Sequence, residues 1–289
     1  MDRFSTLKSN ALLVVTAAIW GFAFVAQRLG MDHLGPFYFN AIRFTLGGLS
    51  LLPLLLISPM ESGKGSFREL IMAGGICGVF LFAGASLQQV GMVYTTAGKA
   101  GFITGLYVVF VPFFNMFLRQ ERTSTGAWMG AVLAVAGMFM LSMTESMIMA
   151  WGDFLILLCA AGFAGHLLVV GRFSNRFPAL HLCLAQYLVV ALLSLMTAVA
   201  FEDIHMAGVR AAAIPLLYGG VMSVGVAYSL QVVGQKKSPA SHAAIILSLE
   251  SVFAAIGGWL MLGEVLSGRG QIGCVLILAG ILVSQLYRR

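Results

Sequence analysis

From Ala11 onward, apolar residues accumulate in runs too long and too continuous for a buried strand or for one face of a surface helix. Crossing a hydrocarbon core of about 30 Å takes roughly 20 helical residues. The chain reaches that length ten times, near residues 10–29, 36–57, 70–93, 97–118, 125–144, 151–171, 179–200, 211–234, 239–262 and 269–287. The pattern predicts an all-α integral membrane protein of ten transmembrane helices joined by short connections. Ten such helices use most of the 289 residues, which leaves no room for a soluble catalytic domain. The first run follows Arg3 and Lys8 and ends in small residues, as a signal peptide would. It is read as an uncleaved span, because the repeat described below supplies it with a counterpart.

Composition agrees: 60% of residues are hydrophobic, 10% are charged and 34 are glycine, a balance that a soluble globule of this size does not need. Cys77, Cys159, Cys183 and Cys274 all fall inside predicted spans and read as small packing residues. Their spacing suggests neither a disulfide framework nor a metal site. The formal charge of +6 is explained by membrane orientation and calls for no nucleic-acid partner. With the amino terminus in the cytoplasm, the inside segments hold Arg3, Lys8, Lys64, Arg68, Arg119, Arg122, Arg172, Arg176, Lys236, Lys237, Arg288 and Arg289. Only Arg28, Arg210 and Arg269 fall at the other face. This asymmetry predicts a multi-pass protein of the cytoplasmic (inner) membrane with both termini in the cytoplasm.

The chain is also written twice. Residues 86–100, SLQQVGMVYTTAGKA, align with residues 229–243, SLQVVGQKKSPASHA, with seven of fifteen positions identical at an offset of 143. The same offset sets Ala97 on Ala240, Glu121 on Glu264, Gly130 on Gly273 and Gly137 on Gly280. At nearly that offset Gly21–Ala23 matches Gly162–Ala164. The chain divides into repeats 1–146 and 147–289, each with five spans. Because five is odd, the second copy is expected to enter the membrane upside down, giving two inverted five-helix repeats. Such an arrangement can open to either side from nearly equivalent packings, which points to alternating access.

Several features together carry a family resemblance: the ten-span layout, the paired repeats, WGFAF at Trp20–Phe24, Pro36 and Arg43 in the second span, and SLESVFAAIGGWLMLGEVLSGRGQIGCVLILAG from Ser248 onward. The chain resembles the EamA-type branch of the drug/metabolite transporter superfamily over essentially its whole length. Many members have a proline directly after the glutamate, where this chain has Ser251. The resemblance implies a central cavity walled mainly by spans other than the fifth and tenth. It also implies a substrate among amino acids, sugars, nucleotide sugars, vitamins and drugs, and export as the direction.

A charged side chain at the centre of a spanning helix costs roughly 2.5–3.5 kcal/mol on the insertion scale, so each one asks for a reason. Counted from Pro239 at about 1.5 Å per residue, Glu250 lies about 16 Å along its helix, near the midplane. It is expected either to exchange a proton or a cationic substrate group in a cavity, or to clamp neighbouring helices. Arg43 is placed to meet a substrate carboxylate or a buried acid such as Glu250, or else to snorkel. Lys99 and His242 are repeat counterparts near opposite faces, readable as gates or as groups reaching water. Gln88 and Gln231 also coincide in the two copies, readable as substrate contacts or as helix-to-helix hydrogen bonds. His166 has the same two readings. Among the aromatic residues, Trp20, Phe24, Tyr107, Phe110, Phe163, Tyr187, Tyr228 and Trp259 line a pocket or simply pack. The repeat sets Tyr107 on Glu250.

The methionine-dense stretch GMFMLSMTESMIMAWG at 137–152 lacks His and Cys and reads as packing, not as a soft-metal site. No HExxH motif or Ser-His pair at matching depth suggests an intramembrane enzyme. The expected function is secondary-active carriage of a small organic solute by alternating access, with export and proton coupling. A passive facilitator or channel on the same scaffold is the alternative, and an intramembrane enzyme a more remote one. The expected partners are that solute, the bilayer and protons, in a monomer or homodimer, with no cofactor or metal.

Overall fold

The computed structural model describes residues 3–57, 65–119, 124–142, 151–203, 205–265 and 268–286. Glu121, Lys64, Arg122, Arg288, Arg289 and most of the methionine-dense stretch lie outside the described residues. The regular elements among the described residues are all helices, joined by short turns, with α1 at Arg3–Gly30, α2 at Pro36–Ile57, α3 at Phe67–Met92, α4 at Ala97–Thr104, α5 at Tyr107–Arg119 and α6 at Thr125–Ser142. They continue with α7 at Trp151–Phe173, α8 at Ala179–Phe201, α9 at Met206–Ala211 and α10 at Ala213–Leu217. A π-helical segment, Tyr218–Tyr228, leads into α11 at Ser229–Gln235, followed by α12 at Ala240–Leu247, α13 at Glu250–Leu262 and α14 at Gly268–Leu286.

Local chemistry sets the starts and stops. Ser66 caps α3 by accepting from the Glu69 N–H, while the Glu69 carboxylate accepts from the Ser66 N–H, so two orphan donors are satisfied reciprocally. Pro36 opens α2, where a missing N–H costs nothing. Gly263 closes α13 at φ 69°, a left-handed conformation that glycine adopts without penalty.

Among the described residues, eight continuous or nearly continuous helical spans are long and apolar enough to cross a membrane: Thr6–Gly30, Pro36–Ile57, Phe67–Met92, Ala97–Phe117, Trp151–Phe173, Ala179–Phe201, Ala213–Gln235 and Ala240–Leu262. The regions expected as the fifth and tenth spans contain shorter apolar stretches, Trp128–Gly137 and Gln271–Gly280. Leu188, Leu192, Leu195 and Val199 form an exposed stripe along α8 at three- and four-residue steps, an outward apolar face that water would penalise and lipid accommodates. The chain is a multi-pass helical membrane protein.

Three spans are less regular than the sequence pattern suggests. The fourth breaks at Gly105–Leu106 and the ninth at Ser248–Leu249. At both breaks the backbone tightens into i→i+3 hydrogen bonds, Val108 N–H to Gly105 and Val109 N–H to Leu106 in one, Ser251 N–H to Ser248 and Val252 N–H to Leu249 in the other. Such short 3₁₀ turns inside helices are natural hinges. The straight helix assumed in placing Glu250 by counting is therefore corrected: Glu250 begins a second helical segment. The eighth span carries the π-helical segment, where Gly220 lies against Leu46 and Gly47 of α2 against Val224.

Packing brings α6 against α14, α3 against α7 and α8, α2 against α8 and the π-helical segment, and α1 against α13. Glycine makes the closest approaches possible. A Cβ on Gly280 would lie 2.7 Å from the Gly130 carbonyl oxygen. Most of the buried apolar side chains form one continuous core.

Candidate functional site

Within that core lies a cavity in which about 30 Å³ can take the centre of a water molecule, enough to admit water. Its walls come from α1, α2, α3, α4, α5, α7, the π-helical segment, α11 and α13, with none of the lining residues on α6 or α14. Ten of the residues singled out by sequence line it: Trp20, Phe24, Arg43, Gln88, Tyr107, Phe163, His166, Tyr228, Gln231 and Glu250.

Glu250 and Tyr107 are the first residues after the two helix breaks. They occupy equivalent positions in the two repeats and lie beside one another across the cavity. Neither the Tyr107 hydroxyl nor Glu250 Oε1 has a hydrogen-bond partner among the described residues. Glu250 is 3% exposed and forms no ion pair among the described residues. A buried carboxylate without a counter-charge is costly, so this group is suited to hold a proton or to meet a cation that enters the cavity. Ser251, the neighbour of Glu250, donates to the Gly101 carbonyl at 2.9 Å and ties α13 to α4.

Arg43 is 2% exposed and its Nε has no partner. Its guanidinium carbon stands 5.1 Å from the Phe44 ring centre and 5.9 Å from that of Phe39, so aromatic faces supply part of its electrostatic environment. It does not pair with Glu250, which removes one of the two acids the sequence reading offered it. The cavity thus presents a guanidinium and a carboxyl group that form no ion pair with each other.

The amides and rings are fixed by different neighbours. Gln88 Nε2 donates to Thr104 Oγ1 at 3.2 Å, and Gln231 Nε2 donates to Gln235 Oε1 at 3.0 Å. The two glutamines share the cavity without bonding each other, and Gln231 Oε1 remains open. Gln235 in turn donates to the Leu167 carbonyl. His166 Nε2 lies 2.8 Å from Gln186 Oε1, and its ring meets Tyr228 edge-on. Trp20 donates to the Ser223 carbonyl at 3.2 Å and packs on Tyr228 with ring centres 4.6 Å apart.

Lys99 and His242 do not line the cavity. Lys99 Nζ lies 3.6 Å from Asp153 Oδ2, and His242 Nε2 lies 3.2 Å from Asn10 Oδ1. Phe24, Phe163 and Tyr228 do line it, whereas Phe110 and Tyr187 pack elsewhere in the core and Trp259 is 53% exposed. Gln27, Thr104, Leu167 and Ser223 also line the cavity and were not anticipated. Gln27 had a legible signal, since Trp20, Phe24 and Gln27 follow one face at four- and three-residue steps. Thr104 and Ser223 are small hydroxyl residues of a kind that lipid-facing helices also carry, so nothing in the sequence set them apart.

Comparison with known proteins gives a consistent result. The profile of the EamA-like transporter family matches this chain twice, over residues 7–143 and 150–286. An uncharacterized transporter of Archaeoglobus fulgidus is 32% identical over 275 residues, covering 95% of this chain and 84% of the relative. The uncharacterized transporters YoaV and YwfM of Bacillus subtilis are 23% and 27% identical, covering 94% and 95% of this chain and 94% and 92% of their own lengths. One solved crystal structure superposes with a TM-score of 0.79 at 21% identity, over 97% of this chain and 98% of the other, a likeness of fold.

Proposed function

The chain belongs to the EamA-like transporter family of the drug/metabolite transporter superfamily, and from that premise we propose that it is a secondary-active exporter of small zwitterionic solutes of the amino-acid kind. It works by alternating access in the cytoplasmic membrane, as ten spans in two inverted five-helix repeats with both termini inside. The observation that carries the substrate reading is that Arg43 and Glu250, a guanidinium and a carboxyl group that form no ion pair with each other, stand on the walls of one cavity. Arg43 is suited to take the carboxylate of the solute and Glu250 its ammonium, while Gln88, Gln231 and the aromatic walls fit the remainder.

The same geometry supports coupling. With no cation at hand, Glu250 is neutralised either by a proton or by the solute ammonium, one at a time, so binding of one displaces the other. That exclusion exchanges inward protons for outward solute. The small free volume fits a contracted conformation, from which the helices must part to admit a solute.

The test is counterflow in proteoliposomes with a radiolabelled panel of neutral amino acids, set against monoamines and monocarboxylates of matched size. Zwitterions are expected to exchange and the singly charged analogues not. Glu250→Gln should lower the exchange rate at least about tenfold, the equivalent of about 1.4 kcal/mol, and abolish its dependence on a proton gradient. An unaltered rate and unaltered gradient dependence in Glu250→Gln would sink the proposal.

A further inference from the structure

Lys99 and His242 are equivalent at the 143-residue offset, and so are the groups they touch: Asp153 corresponds to Asn10. Thr95, which donates to Asp153 Oδ1 at 2.8 Å, corresponds to Ser238. Each contact joins the first segment of a broken helix, α4 or α12, to the first helix of the other repeat, α7 or α1. The two lie at opposite ends of the molecule. The His242 contact is at the start of the ninth span, whereas the α4 start meets Glu264, just past that span's far end, through the Ala97 and Gly98 N–H groups. Between Ala240 and Leu262 runs roughly 33 Å of helix at 1.5 Å per residue.

We propose that Lys99–Asp153 and His242–Asn10 are the two latches of the carrier, one closing each end of the cavity, released alternately as α4 or α12 swings about the break that precedes Tyr107 or Glu250. One latch is an ion pair backed by the Thr95 hydroxyl, and the other joins an imidazole to an amide. The ends are therefore held by unequal chemistry, and weakening one tips the population toward access from that side. The inference rests on the alternating-access reading, but on no particular solute.

A reporter cysteine at Ser223, on the cavity wall, makes the equilibrium visible in a protein whose native cysteines are replaced by alanine. A membrane-impermeant sulfonated methanethiosulfonate is applied to right-side-out and inside-out vesicles in the absence of solute. Asp153→Asn is expected to raise labelling from the Lys99 face about threefold and to lower it from the other. Asn10→Ala should do the reverse. The charge-exchanged pair Lys99→Asp with Asp153→Lys should return both rates toward the parent. Should Asp153→Asn fail to fold, Lys99→Met breaks the same pair and carries the same expectation. Variants at both ends shifting labelling on one face, or folded variants leaving both rates unchanged, overturn the latches. Free labelling of the parent from both faces at once would instead overturn the carrier reading itself and favour a pore.

Discussion

Gly21 shows how little room surrounds Glu250. A Cβ there would collide with the Phe253 Cβ and stand 2.8 Å from the Glu250 carbonyl oxygen and 2.9 Å from the Ala254 nitrogen. Two of those are backbone atoms, so α13 itself must move. Gly21→Val is expected to cost about 1–3 kcal/mol, the range for forcing extra volume into a packed interior, and to shift Glu250 away from the cavity. A lowered melting temperature in detergent together with lost counterflow checks this. Gly75 is the internal control: nothing lies within 4 Å of its Cβ position. Gly75→Ala there should leave transport intact and stabilise α3 slightly, since alanine loses less backbone freedom in a helix, by about 0.5–1 kcal/mol. A Gly21→Val protein as stable and as active as the parent would show that α13 yields to the added volume without cost.

At the scale of elements, the helices depend on groups supplied by distant parts of the chain. The N-terminus of α2 has no capping side chain of its own. Glu202, just past the end of α8, accepts instead from the Phe37 N–H at 2.9 Å and the Tyr38 N–H at 2.7 Å. A carboxylate there satisfies two orphan donors and complements the positive end of the helix. Glu202→Ala should destabilise the protein by about 1–2 kcal/mol, and Glu202→Gln by less, because one acceptor oxygen survives. Thermal melts of the three proteins side by side decide it. An alanine variant as stable as the parent would mean that water replaces the carboxylate without loss. The span pattern was readable in advance because a bilayer demands long apolar runs, and Glu250 and Arg43 stood out against that background for the same reason. The break in the ninth span was not readable. Ser248–Leu249 has neither proline nor glycine, and the turn there forms within the packed bundle, where Ser251 reaches Gly101. Depth along a helix was likewise legible for Lys99 and His242, but their direction was not. Which way a side chain points depends on the rotation of its helix against neighbours, and near a span end either choice is affordable to the sequence.

For the whole molecule, the decisive question is the relative orientation of the two repeats, and the equivalent positions Tyr94 and Lys237 answer it directly. Both follow the third span of their repeat, in turns of matching form: the Tyr94 N–H donates to the Gly91 carbonyl at 2.9 Å and the Lys237 N–H to that of Gly234 at 3.3 Å. Both side chains are exposed, so a cysteine at either place is open to a water-borne reagent. In a direct tandem of six-span or four-span units the two would react from the same side, because an even number of crossings restores direction. With five crossings per repeat they must react from opposite sides. Lys237→Cys is expected to label from the side that also labels Lys8→Cys, the cytoplasmic side by the distribution of basic residues, and Tyr94→Cys from the other. Labelling of Tyr94→Cys and Lys237→Cys from one side would leave the pairing of Lys99 with His242, and of Asp153 with Asn10, a coincidence of spacing. It would also remove the physical reason for two equivalent conformations, since only oppositely threaded copies exchange their packing when the cavity changes sides.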